Sequence, residues 1–284
     1  MLKQELRDRP MLKQELRDRP MLKQEPRDRS MLKQELRNRT TLKQVLKRVL
    51  ERFGYSVRRI GIQDKYGLDC MFTVLKRLDF QPRHIVDVGA NHGVWTRKAF
   101  GYFPDACFTL VEPQAHLRNS VQDLIDRGCQ LRWINAGAGD AEALLPFTIS
   151  SRDDSSSFVP SEAGENSVSV RVRTLNEIVS SGDTFSVAPD MVKIDAEGFD
   201  LKVLAGATDL LGKAEIFLVE VLICASSGYS NDILTVIQKM SDFGYKVFDV
   251  TDLNRSPRHQ VLWLCELAFI KKDSRLLNAL VSYE

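Results

Sequence analysis

Residues 84–93 read HIVDVGANHG, and this stretch decides the fold. A short apolar run, HIVDVGA (84–90), contains a glycine at Gly89, and another follows at Gly93. A helical stretch, about Val94–Tyr102, follows at once. Strand, glycine turn and helix in direct succession form the opening unit of an open α/β sheet. Glycine at such a corner lets a ligand approach the backbone closely. Plain packing of the corner is the alternative. The spacing is GxxxG, with Ala90 and Asn91 after the first glycine, and it departs from the GxGxxG of dinucleotide-binding turns. That argues against a nicotinamide cofactor.

The same alternation extends in both directions. A helical stretch over Leu68–Leu78 precedes the quoted run. CFTLVEP (107–113) is the next strand, followed by a helix near Gln114–Arg127 and a third strand, LRWINAG (131–137). LLPFTI (144–149) and SVSVRVR (167–173) are additional strands, and Leu175–Val179 is a short helix. DMVKIDAEG (190–198) is a buried strand, with a helix near Leu201–Leu211 behind it. IFLVEVLI (216–223), a helix over Asp232–Phe243, YKVFDV (245–250) and LWLCELAFI (262–270) complete the series. Near-continuous apolar strands alternating with helices predict a mostly parallel sheet covered on both faces. Ligands of such sheets sit at the C-terminal strand ends.

Two acidic signals stand at those ends. Glu112 closes the second strand, where a carboxylate suits the two hydroxyls of a ribose. Together with the glycine turn it points to an adenosine-type ligand; an exposed loop glutamate is the alternative. Asp195 and Glu197 follow the strand MVKI, and as i and i+2 residues they share a face if the strand continues. Asp195 could instead cap the helix that begins near Phe199. Candidate bases are Asp195, Glu197, Glu220, His92 and His116, with position favouring the first two. Asp195 and Glu197 could hold a divalent metal but are only two ligands, so no metal site is assigned.

Composition bounds the rest. The chain has 284 residues, 43% hydrophobic and 27% charged, enough to build a core without staples. No apolar run reaches the roughly 18 residues of a membrane span, and no signal-peptide pattern opens the chain, so a cytoplasmic protein is expected. Five widely spaced cysteines without a CxxC fit a reduced compartment and no structural zinc. Residues 1–50 carry 15 Lys+Arg against 7 Asp+Glu, a balance of +8, whereas the remainder carries 25 against 31, a balance of −6.

The basic segment is repetitive. MLKQELRDRP occurs at 1–10 and unchanged at 11–20, with degraded copies at 21–30 and 31–40 and a remote one at 41–50. Ten residues turn a helix through about 1000°, so successive units rotate by roughly 80° and build no apolar stripe. Pro10, Pro20 and Pro26 interrupt any such helix. The expectation is a solvated arm over 1–40, disordered or in short helices. It is also a candidate for contact with an anionic surface or a partner. From Thr41 the pattern becomes amphipathic, with Leu42, Val45, Leu46, Val49, Leu50 and Phe53 on one face. One domain is expected over 41–284, with N-terminal helices at 41–79 and the catalytic sheet at 80–284.

Several blocks then resemble one family. IVDVGANHGVWT, FTLVEP, the Asn of INAGAGD, the SSSF of RDDSSSF, VRTLNEI and above all VKIDAEGFDLKVLAGA look like the FkbM family of class I S-adenosylmethionine-dependent methyltransferases. The similarity runs from about Phe80 to Lys271 and leaves residues 1–50 outside. Glu266 stands in LWLCELAFIKK where an Asp is common in the family. The resemblance implies a Rossmann-like, seven-stranded sheet with a final antiparallel strand, and S-adenosyl-L-methionine as cofactor. It implies that Asp87, Gly89, Ala90, Asn91 and Gly93 line the methionine and ribose side of that cofactor, joined by Thr96. Glu112 would hold the ribose, Asn135 and Ala136 would approach the adenine, and Asp195 would sit near the methionine amino group or the reactive methyl.

The resemblance further implies O-methylation of a hydroxyl on a small-molecule or carbohydrate-like (glycan) acceptor, whose pocket the loop 150–166 helps form. Alternatives are a nucleic-acid methyltransferase using the basic arm, and a non-catalytic cofactor-binding scaffold. The acidic body and the lack of an NPPY-type motif argue against the nucleic-acid reading.

Overall fold

The computed structural model describes residues 67–149, 157–158, 167–224 and 231–280. The expected boundary at 40/41, the repeats and the amphipathic stretch 42–53 lie outside them. The compact unit that holds all described residues begins at Gln63.

In chain order the elements are α1 (Leu68–Arg77), β1 (His84–Val88), α2 (Val94–Tyr102), β2 (Cys107–Val111), a 3₁₀ segment (Ala115–Val121) and α3 (Gln122–Asp126). Next come β3 (Gln130–Ile134), β4 (Gly137–Ala138), β5 (Ala143–Thr148), β6 (Ser167–Arg173), α4 (Leu175–Ser180), β7 (Met191–Ile194) and α5 (Asp200–Ala205). The chain closes with β8 (Ile216–Leu222), α6 (Ile233–Asp242), β9 (Tyr245–Arg255), β10 (Leu262–Lys271) and a second 3₁₀ segment (Arg275–Ala279).

Among the described residues a seven-stranded sheet runs in the order β3-β2-β1-β7-β8-β10-β9. The pairs β1–β2, β2–β3, β1–β7 and β7–β8 are parallel, and β10 runs antiparallel to both its neighbours. The strand order reverses direction beside β1, which opens a ligand crevice at the carboxyl ends of β1, β2 and β7. Alternate residues of the buried strands feed two cores. Ile85 and Phe108 pack with Met71, Phe72 and Phe100, whereas Val86, Val192 and Phe217 pack with Ile178, Leu204 and Met240. Helices therefore cover both faces, as the continuous apolar strands require.

A smaller sheet, β4-β6-β5, stands apart from the main one. It takes up the LLPFTI and SVSVRVR runs, paired antiparallel from Ala143↔Val172 to Thr148↔Ser167.

Four expected elements are shorter or broken in the structure. The helix expected over Gln114–Arg127 is mostly 3₁₀, because Ser120 Oγ bonds back to the Leu117 carbonyl at 2.6 Å and competes with helical pairing. LRWINAG splits after Ile134, where Ala136 N–H turns back to the Ile134 carbonyl and Gly137 joins the small sheet. The strand expected over 190–198 ends at Ile194, since Glu197 (φ 49°) and Gly198 (φ 89°) are left-handed. The helix expected to reach Leu211 stops at Ala205, ahead of Gly206.

Candidate active site

Gly89 is the pivot of the crevice. Its φ is 69°, and a Cβ placed there would lie 1.8 Å from the carbonyl oxygen of Asp195. The glycine therefore serves close approach of two chain segments, the β1 turn and the end of β7, in addition to any ligand. Main-chain bonds fix the junction: Gly89 N–H donates to Val111 O at 2.9 Å, and Asp195 N–H to Val88 O at 3.2 Å.

Two cavities open on either side of Asp195. The smaller, about 150 Å³, is lined by Glu112, Pro113 and Gln114 from β2, by Ala136–Ala138, and by Phe147, Phe158 and Glu197. The larger, about 630 Å³, is lined by Trp95 and Lys98 of α2, Asp69 of α1, Lys193, Glu220, Asp252 and Glu266. Gly89, Asn91 and Asp195 line both.

Glu112 is buried, and its carboxylate is held from both ends. Oε2 accepts from Asn91 N–H at 2.9 Å, and Oε1 from Gln114 N–H at 3.0 Å. Burial raises its pKa against the lowering effect of those backbone amides. Asn91 reaches this position with φ 46°. Asn135 points elsewhere: its Nδ2 donates to the carbonyls of Pro113 (2.8 Å) and Glu112 (3.1 Å), pinning the turn after β2. Ala136, its neighbour, lines the smaller cavity.

Asp87 and Thr96 lie beneath the crevice, both fully buried. Thr96 Oγ1 donates to Asp87 Oδ2 at 2.5 Å. Neither residue lines a cavity, nor does Gly93, whose left-handed φ of 73° starts α2 against Val121. Ala90 lines the larger cavity.

Asp87 reaches the site through Lys193, which sequence reading missed. The signal was present, as a lysine in the middle of the apolar strand MVKI. The register sets Asp87 opposite Lys193 on parallel neighbours. Lys193 Nζ is 3.2 Å from Asp87 Oδ1, 3.1 Å from Asp195 Oδ2 and 3.3 Å from the Gly89 carbonyl. Burial pulls the lysine's pKa down, but Asp195, Asp87 and Glu266 outweigh it and hold the ammonium above the usual lysine range. A charged lysine thus ties Asp87, the glycine turn and Asp195 together.

An acidic row continues across the sheet. Glu266 of β10 stands opposite Glu220 of β8 and Asp252 of β9. Burial and then Asp195 and Asp200 push Glu220 up to about 10. Burial pushes Glu266 up to about 7 despite Lys193 and a 2.5 Å bond from Thr251 Oγ1. Asp200, the first residue of α5, accepts from the N–H groups of Ala196 and Gly198, both at 3.1 Å, and burial lifts it to about 7. It ties down the turn that precedes the helix; the N-cap position is Phe199, and neither Asp195 nor any other side chain caps α5.

The turn after Ile194 separates the two acids expected to share a face. Asp195 lines both cavities, whereas Glu197 lines only the smaller one. Of the other candidate bases, His92 lines the larger cavity and His116 is exposed on the 3₁₀ segment. Among the described residues no cluster of three His, Cys, Asp or Glu could hold a metal, and no helix is long and apolar enough to cross a membrane.

Six parallel strands with one antiparallel strand inserted at β10, and a carboxylate at the end of β2, define the Rossmann-like body of class I S-adenosylmethionine-dependent methyltransferases. The profile of the methyltransferase FkbM domain matches residues 87–247. The chain belongs to the FkbM methyltransferase family. Among solved structures, methyltransferase FkbM from Methylobacillus flagellatus KT has a TM-score of 0.44 at 17% identity, covering 65% of this chain and 43% of its own. This chain therefore spans less than half the length of that relative. A putative RNA methyltransferase from Pyrococcus horikoshii has a TM-score of 0.43 at 11% identity, with 73% and 82% covered. The Burkholderia thailandensis 1,6-didemethyltoxoflavin-N1-methyltransferase, solved with 1,6-didemethyltoxoflavin and S-adenosylhomocysteine, has 0.39 at 14%, with 71% and 76% covered. No curated protein matches the chain in sequence.

Proposed function

We propose that the protein transfers a methyl group from S-adenosylmethionine to a hydroxyl of a small-molecule or carbohydrate-like acceptor. One observation carries this reading: Asp195 forms a shared wall of two cavities of different chemistry. The smaller suits a nucleoside. Glu112 offers carboxylate lone pairs to ribose hydroxyls, and Ala136, Phe147 and Phe158 offer apolar surface to a flat ring. The larger suits the acceptor. Trp95 supplies an apolar surface there, and Asp69, Glu220, Asp252 and Glu266 supply polar groups for a hydroxylated molecule.

When bound, S-adenosylmethionine supplies an electrophilic methyl group on a positively charged sulfur. The chain's contribution is alignment and proton removal. Glu112 and the Gly89–Asn91 turn orient the cofactor, Asp195 takes the proton from the acceptor hydroxyl, and Lys193 holds the Asp195 carboxylate in place. Asp87 and Thr96 act from beneath by positioning Lys193. Glu197, on the nucleoside side, is assigned to cofactor binding ahead of proton transfer.

The larger cavity sets five carboxyl residues, counting Asp195, against Lys98 and Lys193. Such a lining disfavours a phosphate backbone, which basic side chains recruit. The basic arm, at +8 over residues 1–50, is assigned to an anionic surface and not to the acceptor.

The test is transfer of labelled methyl from S-adenosylmethionine to panels of sugars, hydroxylated small molecules, amines and RNA. Label on a hydroxyl is expected. Label on RNA alone would favour the nucleic-acid reading, and S-adenosylhomocysteine binding by calorimetry without transfer to any panel would favour the non-catalytic cofactor-binding reading.

A further inference from the structure

The hydrophobic part of the SSSF block was expected near the acceptor, but Phe158 lines the smaller cavity with Glu112 and Ala136. Its position is built from several directions. Ser157 pairs with Thr148 at the end of β5, through N–H···O bonds of 2.9 and 3.1 Å. Ser157 Oγ donates to the Glu197 carbonyl at 2.8 Å, anchoring the pair to the turn after Asp195. The Phe158 ring lies 4.8 Å from that of Phe147 and 5.2 Å from that of Phe199, centroid to centroid. Its edge fills the place of an absent side chain: a Cβ on Gly137 would sit 2.4 Å from Phe158 Cζ. The small residues after β3 thus admit an aromatic ring at the cavity that holds the ribose-binding carboxylate.

We infer that Phe158 is a wall of the nucleobase subsite, contacting the adenine of the cofactor and not the methyl acceptor. The inference rests on reading the smaller cavity as the nucleoside end of the cofactor site. An aromatic face suits a purine because stacking needs no matched hydrogen bonds, and ring contacts with Phe147 and Phe199 hold Phe158 at the cavity.

The experiment titrates the full chain and two variants, Phe158→Ala and Phe158→Leu, with S-adenosylhomocysteine and with 5′-methylthioadenosine, by calorimetry. Methylthioadenosine keeps the nucleoside and lacks the amino-acid end. Losing a base–aromatic contact weakens binding by about 5- to 150-fold. Phe158→Ala is expected to lose affinity for both ligands by the same factor, and Phe158→Leu by a smaller one. Unchanged affinity, or a loss for S-adenosylhomocysteine without a loss for methylthioadenosine, overturns the inference while leaving the methyltransferase reading intact. A wild-type chain that binds neither ligand overturns the cofactor reading and the inference with it. Melting curves establish that each variant is folded, and Phe158→Leu carries the test if the alanine variant is not.

Discussion

At the scale of single residues, the two key acids are expected to fail differently. Glu112→Ala should weaken S-adenosylhomocysteine binding by about 10- to 150-fold, the worth of a lost charge-assisted pair. Asp195→Asn should bind nearly as wild type and lower kcat, since the role proposed for Asp195 is tied to the moving proton. Calorimetry beside steady-state kinetics separates these outcomes, and wild-type turnover by Asp195→Asn would pass the role of base to His92 or Glu197. Lys193→Met should be far more damaging to stability. It leaves Asp87 buried beside Asp195 with no cation between them, a loss of about 3–5 kcal/mol in denaturant unfolding. Glu220 carries a pH signature. Its folded pKa, near 10, lies above the unfolded carboxylate value of about 4.3, so the folded state keeps a proton that the unfolded state has released. Its contribution to wild-type stability therefore falls as pH rises through that window. Glu220→Gln does not titrate, and its Tm should exceed wild type at pH 8 and converge with it near pH 4.

At the scale of elements, the strands were legible and several of their ends were not. Buried parallel strands announce themselves as apolar runs, and β1, β2 and β8 fall within the expected HIVDVGA, CFTLVEP and IFLVEVLI, each ending short of the expected bound. The end of β7 did not follow from periodicity, because a left-handed glutamate at Glu197 leaves no mark in a hydrophobic pattern. Glu112 was visible because it closes a strand one unit beyond the glycine turn. Lys193 was not assigned to the site, and Phe158 was expected at the acceptor pocket and not at the smaller cavity, because their contacts come from neighbours about 100 and 20 residues away. Gly89 was read as room for a ligand, and the structure adds the approach of Asp195. Gly89→Ala should therefore cost about 1–3 kcal/mol or more, from a strained φ plus a contact that main chain must yield to. Cofactor affinity should fall with it, and thermal melts with and without S-adenosylhomocysteine measure both.

At the scale of the molecule, the repeats and the sheet obey different sequence rules. No apolar stripe runs through the decapeptides, so removal of residues 1–40 is expected to leave a cooperative melt and wild-type S-adenosylhomocysteine affinity. Loss of cooperativity on calorimetric unfolding would show that the repeats belong to the fold. The wall at Asp195 has one more consequence. A residue common to two binding sites lets occupancy of one be felt in the other, and such coupling is thermodynamically reciprocal. Whatever factor a bound nucleoside ligand multiplies acceptor affinity by, the acceptor must return to the nucleoside ligand. Titrating either ligand at saturating levels of the other reads the same heterotropic constant from two sides.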